Sequence, residues 1–182
     1  MEALSKILRI SLVAILLLAV FQVRGQEQQK LVSFTIKNAG VNVGGSFLSY
    51  SVTTKWDASD LASSRLSATI EAKTIVTGIK GRDKHLKKAK YFDVENYPQI
   101  TFESTSITKT AAGYLLKGKL TIKETTLPVE IPFTATSSAE GIAFSGAFEL
   151  DRRDYGVGKG HLIMGDKVKI KIYHLEKHPS VR

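Results

Sequence analysis

Cysteine is absent from the 182-residue chain. Without cysteine no disulfide framework can form, so the stability of the fold must come from its core. The same absence excludes a cysteine nucleophile and the acylated cysteine that anchors a lipoprotein.

Motifs for catalysis and for cofactor binding are also lacking. The chain has no nucleophile elbow, and its glycine-rich stretches, residues 44–45 and 156–158, lie in hairpin contexts rather than in a phosphate-binding loop. Asp83 with His85, and His174 with Glu176 and His178, are sets too sparse to predict a metal site. We therefore expect a protein without enzymatic activity, metal or cofactor.

The one long apolar run lies at the N-terminus. Lys6 and Arg9 precede the run at residues 10–21, and Val23 and Gly25 offer small residues for cleavage. This run is shorter than the ~20 residues that a membrane-spanning helix needs, which favours a signal peptide over an uncleaved anchor. We predict a signal peptide over residues 1–25 and one mature domain over residues 26–182, exported to the periplasm or the extracellular space.

The charge balance is basic, with 26 lysines and arginines against 17 acidic residues. Many of the lysines are dispersed over alternating positions, which is not the pattern of a nucleic-acid-binding surface. A basic exterior is compatible with peripheral contact with an anionic membrane surface. The sequence leaves oligomer formation open.

Period-two alternation of apolar and polar residues recurs along the mature chain. Leu66, Ala68 and Ile70 share one face of a predicted strand, and the same pattern recurs at residues 116–122, 129–135, 144–150 and 168–174. Turn residues separate about eight such segments, which predicts an antiparallel all-β fold, either an eight-stranded barrel or a two-sheet sandwich. One or two short helices are expected, at residues 57–64 and at residues 84–92 with Asp83 as the cap. The tail after Tyr173 is expected to be loosely attached.

The inward positions of these strands mix small and large residues. Ala68, Gly118 and Gly146 would leave room for a ligand inside a barrel, but they would equally complement large neighbours in a filled core. Two loops carry an Arg-Asp pair, Arg82-Asp83 and Arg153-Asp154. If both loops lie at one mouth of a barrel, they could exchange Arg-carboxylate pairs that close the rim, or meet a ligand headgroup.

Four motifs together resemble those of the YceI-like family of small exported proteins. They are Thr77-Gly78, the Arg-Asp-Lys-His-Leu run at residues 82–86, Phe92-Asp93 with Tyr97-Pro98, and the Ile-Thr-Phe-Glu-Ser run at residues 100–104. The resemblance implies a lipocalin-like barrel that holds an isoprenoid or another long-chain lipid, and it carries over Arg82, Asp83 and His85 as motif residues. It also favours a cavity, whose expected lining is Phe34, Ile36, Ile70, Phe102, Leu116, Gly118, Leu120, Phe133, Phe144, Gly146, Phe148 and Ile170.

The sequence departs from the family pattern at two places, and it leaves two other functions open. Asn38 stands where many members have histidine, and Glu124 stands where glycine is common. One alternative function is a structural or stress-response envelope module with a filled barrel. The other is a lipid-acting enzyme in which His85 is the general base and Asp83 orients it.

Overall fold

The computed structural model describes residues 32–160 and 163–178. The predicted signal peptide lies outside the described residues. The described chain forms one curled antiparallel sheet of ten strands. They are β1 (Val32–Asn38), β2 (Val41–Phe47), β3 (Tyr50–Lys55), β4 (Arg65–Glu71), β5 (Ile75–Val76), β6 (Gln99–Thr110), β7 (Gly113–Ile122), β8 (Thr125–Ser137), β9 (Gly141–Asp151) and β10 (Met164–Lys177).

Ten strands arise because two long strands are each interrupted once. Leu48 and Ser49 separate β2 from β3, and the 3-10 helix Ala72–Thr74 separates β4 from β5. β2 pairs with β5 while β3 pairs with β4, so the two interrupted strands run side by side. Counted in this way, eight strands follow one another in a ring, because β1 pairs with both β2 and β10. The predicted antiparallel all-β barrel is confirmed.

A single threonine bridges both interruptions. The Thr74 hydroxyl accepts hydrogen bonds from the backbone amides of Leu48 and Ser49, each at 3.2 Å, and donates to the carbonyl of Glu71 at 2.7 Å. The Glu71 amide in turn donates to the Ser49 carbonyl at 3.0 Å. Backbone groups that lose their ladder partners at the bend are thereby satisfied.

One end of the barrel, here called the α1 end, is covered by helix α1 (Lys80–Leu86) and the loops around it. Leu86 and Phe92 pack in one apolar cluster with Tyr155 and Val157, which follow β9. The Gly158 amide donates to the Lys90 carbonyl at 2.9 Å and ties the two covering segments together. Burial, reinforced by the charge of Asp154, raises the pKa of Tyr155.

The opposite end, here called the Trp56 end, is closed by aromatic rings. The Trp56 ring meets the rings of Tyr114, Phe133 and Phe144 edge-on, with centroids 4.9, 5.8 and 5.4 Å away. Edge-to-face contacts of this kind are favourable arrangements for aromatic side chains. The barrel interior is therefore bounded by α1 at one end and by an aromatic plug at the other.

The helix predicted at residues 84–92 is wrong in its bounds. Helix α1 begins at Lys80, and its N-cap residue is Ile79, which has no side chain able to cap it. Asp83 lies inside the first turn and accepts a hydrogen bond from the Thr77 amide at 2.8 Å. Residues 57–64 form no helix either. The buried Ser64 hydroxyl holds them in turns: it accepts a hydrogen bond from the Asp57 amide, and it lies within donating distance of the Asp57 and Asp60 carbonyls.

The prediction of a loosely attached tail after Tyr173 is wrong for residues 174–177, and residues 179–182 of that tail lie outside the described residues. Strand β10 continues to Lys177, and the residues from His174 onward pair with the first residues of β9. In the described ranges, 32–160 and 163–178, no helix combines the length and apolar character that a membrane crossing requires.

Candidate functional site

An apolar cavity of about 280 Å³ lies inside the barrel. Its wall includes Phe34 and Ile170 from neighbouring strands, Phe102 and Leu120 from the opposite side, and Phe92 from the loop after α1. It reaches from Thr77 and Arg82 at the α1 end to Phe133 and Phe144, which contact Trp56 at the other. Phe34, Phe102, Phe148 and Ile170 are only partly buried, although they point into the barrel. Their residual exposure is consistent with an interior that the side chains do not fill.

All of the predicted lining residues except Gly118 border this cavity. Gly118 is buried, but a Cβ atom built on it would clash with the Phe102 ring. Its missing side chain therefore makes room for the Phe102 ring and adds no open volume. A Cβ atom on Gly146 would lie 2.9 Å from the Pro132 carbonyl oxygen, so this cavity-lining glycine also permits close packing of neighbouring strands.

Sequence reasoning missed several lining residues. Phe47 and Ile131 continue the inward alternation of their strands and could have been found by that signal. Leu86, Phe92 and Val157 come from the segments that cover the α1 end. No strand periodicity marks those three, because Leu86 lies in α1 and the other two lie in loops, and only tertiary packing brings them to the barrel.

Arg82 is the motif residue that lines the cavity. Its Nε donates to the Thr77 hydroxyl and its Nη2 to the Thr77 carbonyl, both at 2.7 Å. Asp83 accepts from the amide and the hydroxyl of the same threonine. Thr77 thus orients both motif side chains, and Nη1 of Arg82 has no hydrogen-bond partner within the described chain.

His85 lies outside the cavity lining. Its ring is exposed and meets the Tyr91 ring edge-on, with centroids 5.1 Å apart. Asp83 is engaged by Thr77 and makes no hydrogen bond to His85 in the described contacts. The structure therefore does not assemble these two residues into the base and orienting acid of the enzyme hypothesis.

The second motif pair, Arg153 and Asp154, is exposed, and the neighbouring arginine occupies the interior instead. Arg152 donates to the carbonyls of Gly165, Val157 and Lys159, and to Asp166 at 2.7 Å. Arg153 reaches the same carboxylate from outside at 3.2 Å. The predicted exchange of Arg-carboxylate pairs between the two motif loops is not among the described contacts, and Asp166 of β10 takes that place.

The sparse ligand sets near the chain end are used for other contacts. Nε2 of His174 lies 3.1 Å from a Glu176 carboxylate oxygen, and His178 approaches the Ser138 carbonyl at 3.3 Å. Across residues 32–160 and 163–178, no three side chains of metal-ligand type come together.

Glu124, one of the departures from the family pattern, lies in the hairpin between β7 and β8. The two-residue loop Lys123-Glu124 places Lys123 in the left-handed region, at φ 56°. The Glu124 carboxylate beside Tyr97 raises the pKa of that phenol. The Lys123 ammonium lies 5.9 Å above the Tyr97 ring, so the hairpin is joined to the covering loop at the α1 end.

Solved structures share this barrel. BcnA of Burkholderia cenocepacia is 31% identical, with a TM-score of 0.73 over 78% of this chain and 92% of that one. The fold alone is shown by two more distant structures, the YCEI protein of Campylobacter jejuni and a polyisoprenoid binding domain from Saccharophagus degradans. The Campylobacter jejuni protein is 22% identical, with a TM-score of 0.69 over 77% of this chain and 87% of its own chain. The Saccharophagus degradans domain is 13% identical, with a TM-score of 0.60 over 81% of this chain and 93% of its own chain.

Sequence relatives match over a shorter span. A UPF0312 protein of Yersinia enterocolitica is 31% identical over 114 residues, which cover 62% of this chain and 59% of that protein. A UPF0312 protein of Pectobacterium atrosepticum is 32% identical over 105 residues, which cover 57% of this chain and 55% of that protein. The chain thus spans less than two thirds of the length of these curated relatives.

A family model described as the YceI-like domain matches residues 24–174. That range contains the four sequence motifs, the covering loops and most of the barrel. The chain belongs to the YceI-like domain family.

Proposed function

We propose that this protein is an exported, non-catalytic carrier that holds a long isoprenoid-type lipid inside its barrel. The observation that carries the proposal is the apolar cavity, which extends from Arg82 to the aromatic plug. An elongated apolar molecule fits that shape better than a compact polar one. The Saccharophagus degradans domain of the same fold, which is named for polyisoprenoid binding, supports this choice of ligand class.

The energetics of such a cavity favour a long hydrocarbon. Each methylene group moved from water into an apolar interior contributes roughly 0.8 kcal/mol. A chain that fills the cavity would also cover the inward faces of Phe34, Phe102 and Phe148. Affinity would therefore rise with chain length until the cavity is full.

Arg82 is the proposed contact for the polar end of the lipid. Two of its guanidinium nitrogens are held by Thr77, which fixes the direction of the third, Nη1. The other lining guanidinium, that of Arg152, makes hydrogen bonds through all three of its nitrogens. The polar end of the lipid would therefore lie at the α1 end, with its tail directed toward Trp56.

Filling the cavity from its wall tests the carrier function. Ala68 lies on β4 between Leu66 and Ile70, and all three line the cavity. Ala68→Phe places a ring where the lipid would lie, so we expect at least about a tenfold loss of solanesol binding, measured by native mass spectrometry. Ala68→Val should lose less, and Thr69→Phe, which adds the same ring at a neighbouring residue outside the cavity lining, should bind like the wild type.

Two outcomes would overturn the proposal. The first is a purified wild-type protein that carries no lipid and stays empty after incubation with solanesol, which would favour a structural module. The second is equal binding by Ala68→Phe and the wild type. Intact mass of the protein from its native host also checks export, because cleavage after Gly25 leaves a chain that begins at Gln26.

A further inference from the structure

The barrel wall is incomplete beside the cavity at the α1 end. β2 pairs with β5 only through Ser46 and Phe47, so within the described chain the segment from Val41 to Gly45 has no strand partner on that side. Val43 of this segment lines the cavity, as do Thr77 and Arg82 from the chain that follows β5. The gap between these two segments is therefore the candidate mouth of the cavity.

Exposed aliphatic side chains border this mouth. Val41, Ile79 and Ile163 are 66%, 56% and 54% exposed. Each lies within two residues of a lining residue, namely Val43, Thr77 and Met164. The Ala39 amide donates to the Ile163 carbonyl at 2.7 Å, which places the Ile163 loop against the hairpin that carries Val41.

A strongly basic segment adjoins the same mouth. Residues 80–90 contain five lysines, Lys80, Lys84, Lys87, Lys88 and Lys90, and the single acidic residue among them is Asp83, which binds Thr77. None of the five lysines forms an ion pair with a described carboxylate. Lys90 lies 5.8 Å above the Tyr91 ring. The segment carries a net positive charge, and Lys80, Lys84, Lys88 and Lys90 are exposed to solvent.

We propose that the mouth face, defined as Val41, Ile79, Ile163 and the five lysines of residues 80–90, docks on the surface of an anionic lipid bilayer. Lysines near such a surface contribute roughly 1 kcal/mol each, and short aliphatic side chains enter the interface between headgroups and acyl chains. Docking in this orientation sets the gap in the barrel wall against the bilayer, so that a lipid passes between membrane and cavity without crossing water. The inference rests on the proposed carrier function for its purpose, but the docking itself is measured separately.

Two variants of the purified full chain test the docking. Ile79→Ser removes an exposed aliphatic side chain and puts a preferred capping residue at the N-cap of α1, so a loss of binding cannot be assigned to a weakened helix. The double variant Lys80→Glu with Lys84→Glu reverses charge at both ends of α1. Cosedimentation is measured with phosphatidylcholine vesicles that contain one-quarter phosphatidylglycerol, and with phosphatidylcholine vesicles alone.

We expect the wild type to bind the anionic vesicles and to dissociate as salt is raised, and to bind the neutral vesicles weakly. Ile79→Ser should bind about fivefold less and the double lysine variant about tenfold less or weaker, on the contributions of apolar burial and of each charge. Lys109→Glu, which reverses charge near the β6–β7 hairpin at the Trp56 end, is the matched control and should bind like the wild type. Solanesol binding should be unchanged in all of these variants, because none of the altered residues lines the cavity.

The outcomes separate the two proposals. Equal vesicle binding by the wild type and both mouth-face variants, or no vesicle binding by the wild type, overturns the docking and leaves the carrier function standing. A wild-type protein that binds vesicles but takes up no solanesol overturns the carrier function instead. A dimer in sedimentation velocity that Ile79→Ser dissociates would identify a second copy of the chain as the occupant of this face and would also overturn membrane docking.

Discussion

Arg152 and Arg153 are neighbours in sequence and bind the same carboxylate, but their surroundings differ. The Arg152 side chain is 5% exposed and the Arg153 side chain is 55% exposed, while both approach Asp166. Arg152 also binds three backbone carbonyls that belong to the segment after β9 and to the start of β10. Removing its guanidinium would leave buried carbonyl groups without a donor, which is more costly than losing an exposed ion pair.

Substitution at these two positions should therefore give very different stabilities. We expect Arg152→Met to lower the free energy of unfolding by about 2 to 4 kcal/mol, since it breaks a buried, hydrogen-bonded charge pair. Arg153→Ala should change it by less than about 1 kcal/mol. Urea denaturation of the two variants checks this, and similar midpoints would show that Arg152 does not hold the covering segment in place.

The same pair shows where sequence reasoning stops at the scale of residues. The Arg-Asp pair in the sequence correctly drew attention to this turn, but it singled out Arg153 and Asp154 as the rim residues. The structure instead buries Arg152 and pairs it with Asp166. Two adjacent arginines look alike in a sequence. Which one enters the interior depends on the turn after β9, where the Asp151 carboxylate accepts from the Arg153 amide at 2.9 Å and the chain leaves the strand.

At the scale of elements, the barrel depends on the bend that divides β2 from β3. The two amides at this bend have no ladder partners, and the Thr74 hydroxyl accepts from both. This places one side chain at the point where β2 and β3 change partner from β5 to β4. Loss of that hydroxyl should weaken the bend alone, because the strands on either side keep their own hydrogen bonds.

Thr74→Val tests this role with almost no change in side-chain shape. We expect a loss of about 1 kcal/mol in the free energy of unfolding, together with faster hydrogen exchange at the amides of Leu48 and Ser49. Thr74→Ser keeps the hydroxyl and should retain most of the protection. Unchanged exchange at these two amides in Thr74→Val would mean that solvent already satisfies them.

The strands were predictable because their signal is local. Alternation along residues 116–122 or 144–150 reports directly on a buried and a solvated face, and β7 and β9 lie where the pattern indicated. Helix α1 was misplaced because its N-cap residue, Ile79, offers no capping side chain. Asp83 resembles a cap in the sequence, but it lies inside the first turn and accepts a hydrogen bond from the Thr77 amide. The end of β10 was missed because its polar residues, such as Glu176, are held by pairing with β9 rather than by burial of an apolar face.

At the scale of the whole molecule, the two ends of the barrel are chemically different. The α1 end combines Arg82, a gap in the wall and unpaired lysines, while the Trp56 end is closed by four aromatic rings. Sequence alternation predicted an interior but could not orient it, because loops rather than strands determine what stands at each end. If the chain carries a lipid as proposed, the polarity of the barrel gives that lipid one direction, with its polar end near Arg82 and its tail near Trp56.

Trp56 can report that direction, because it is the single tryptophan of the chain. It contacts Phe133 and Phe144, which line the cavity, so a tail that reaches this end should alter its emission. If the polar end lies at Arg82, geraniol should bind without changing the fluorescence, farnesol should change it little, and solanesol should shift it most. Binding of each alcohol is established separately by native mass spectrometry, and Trp56→Phe shows that any signal comes from this residue. A shift with geraniol as large as that with solanesol would place short ligands at the aromatic plug, and would reverse the orientation inferred from Arg82.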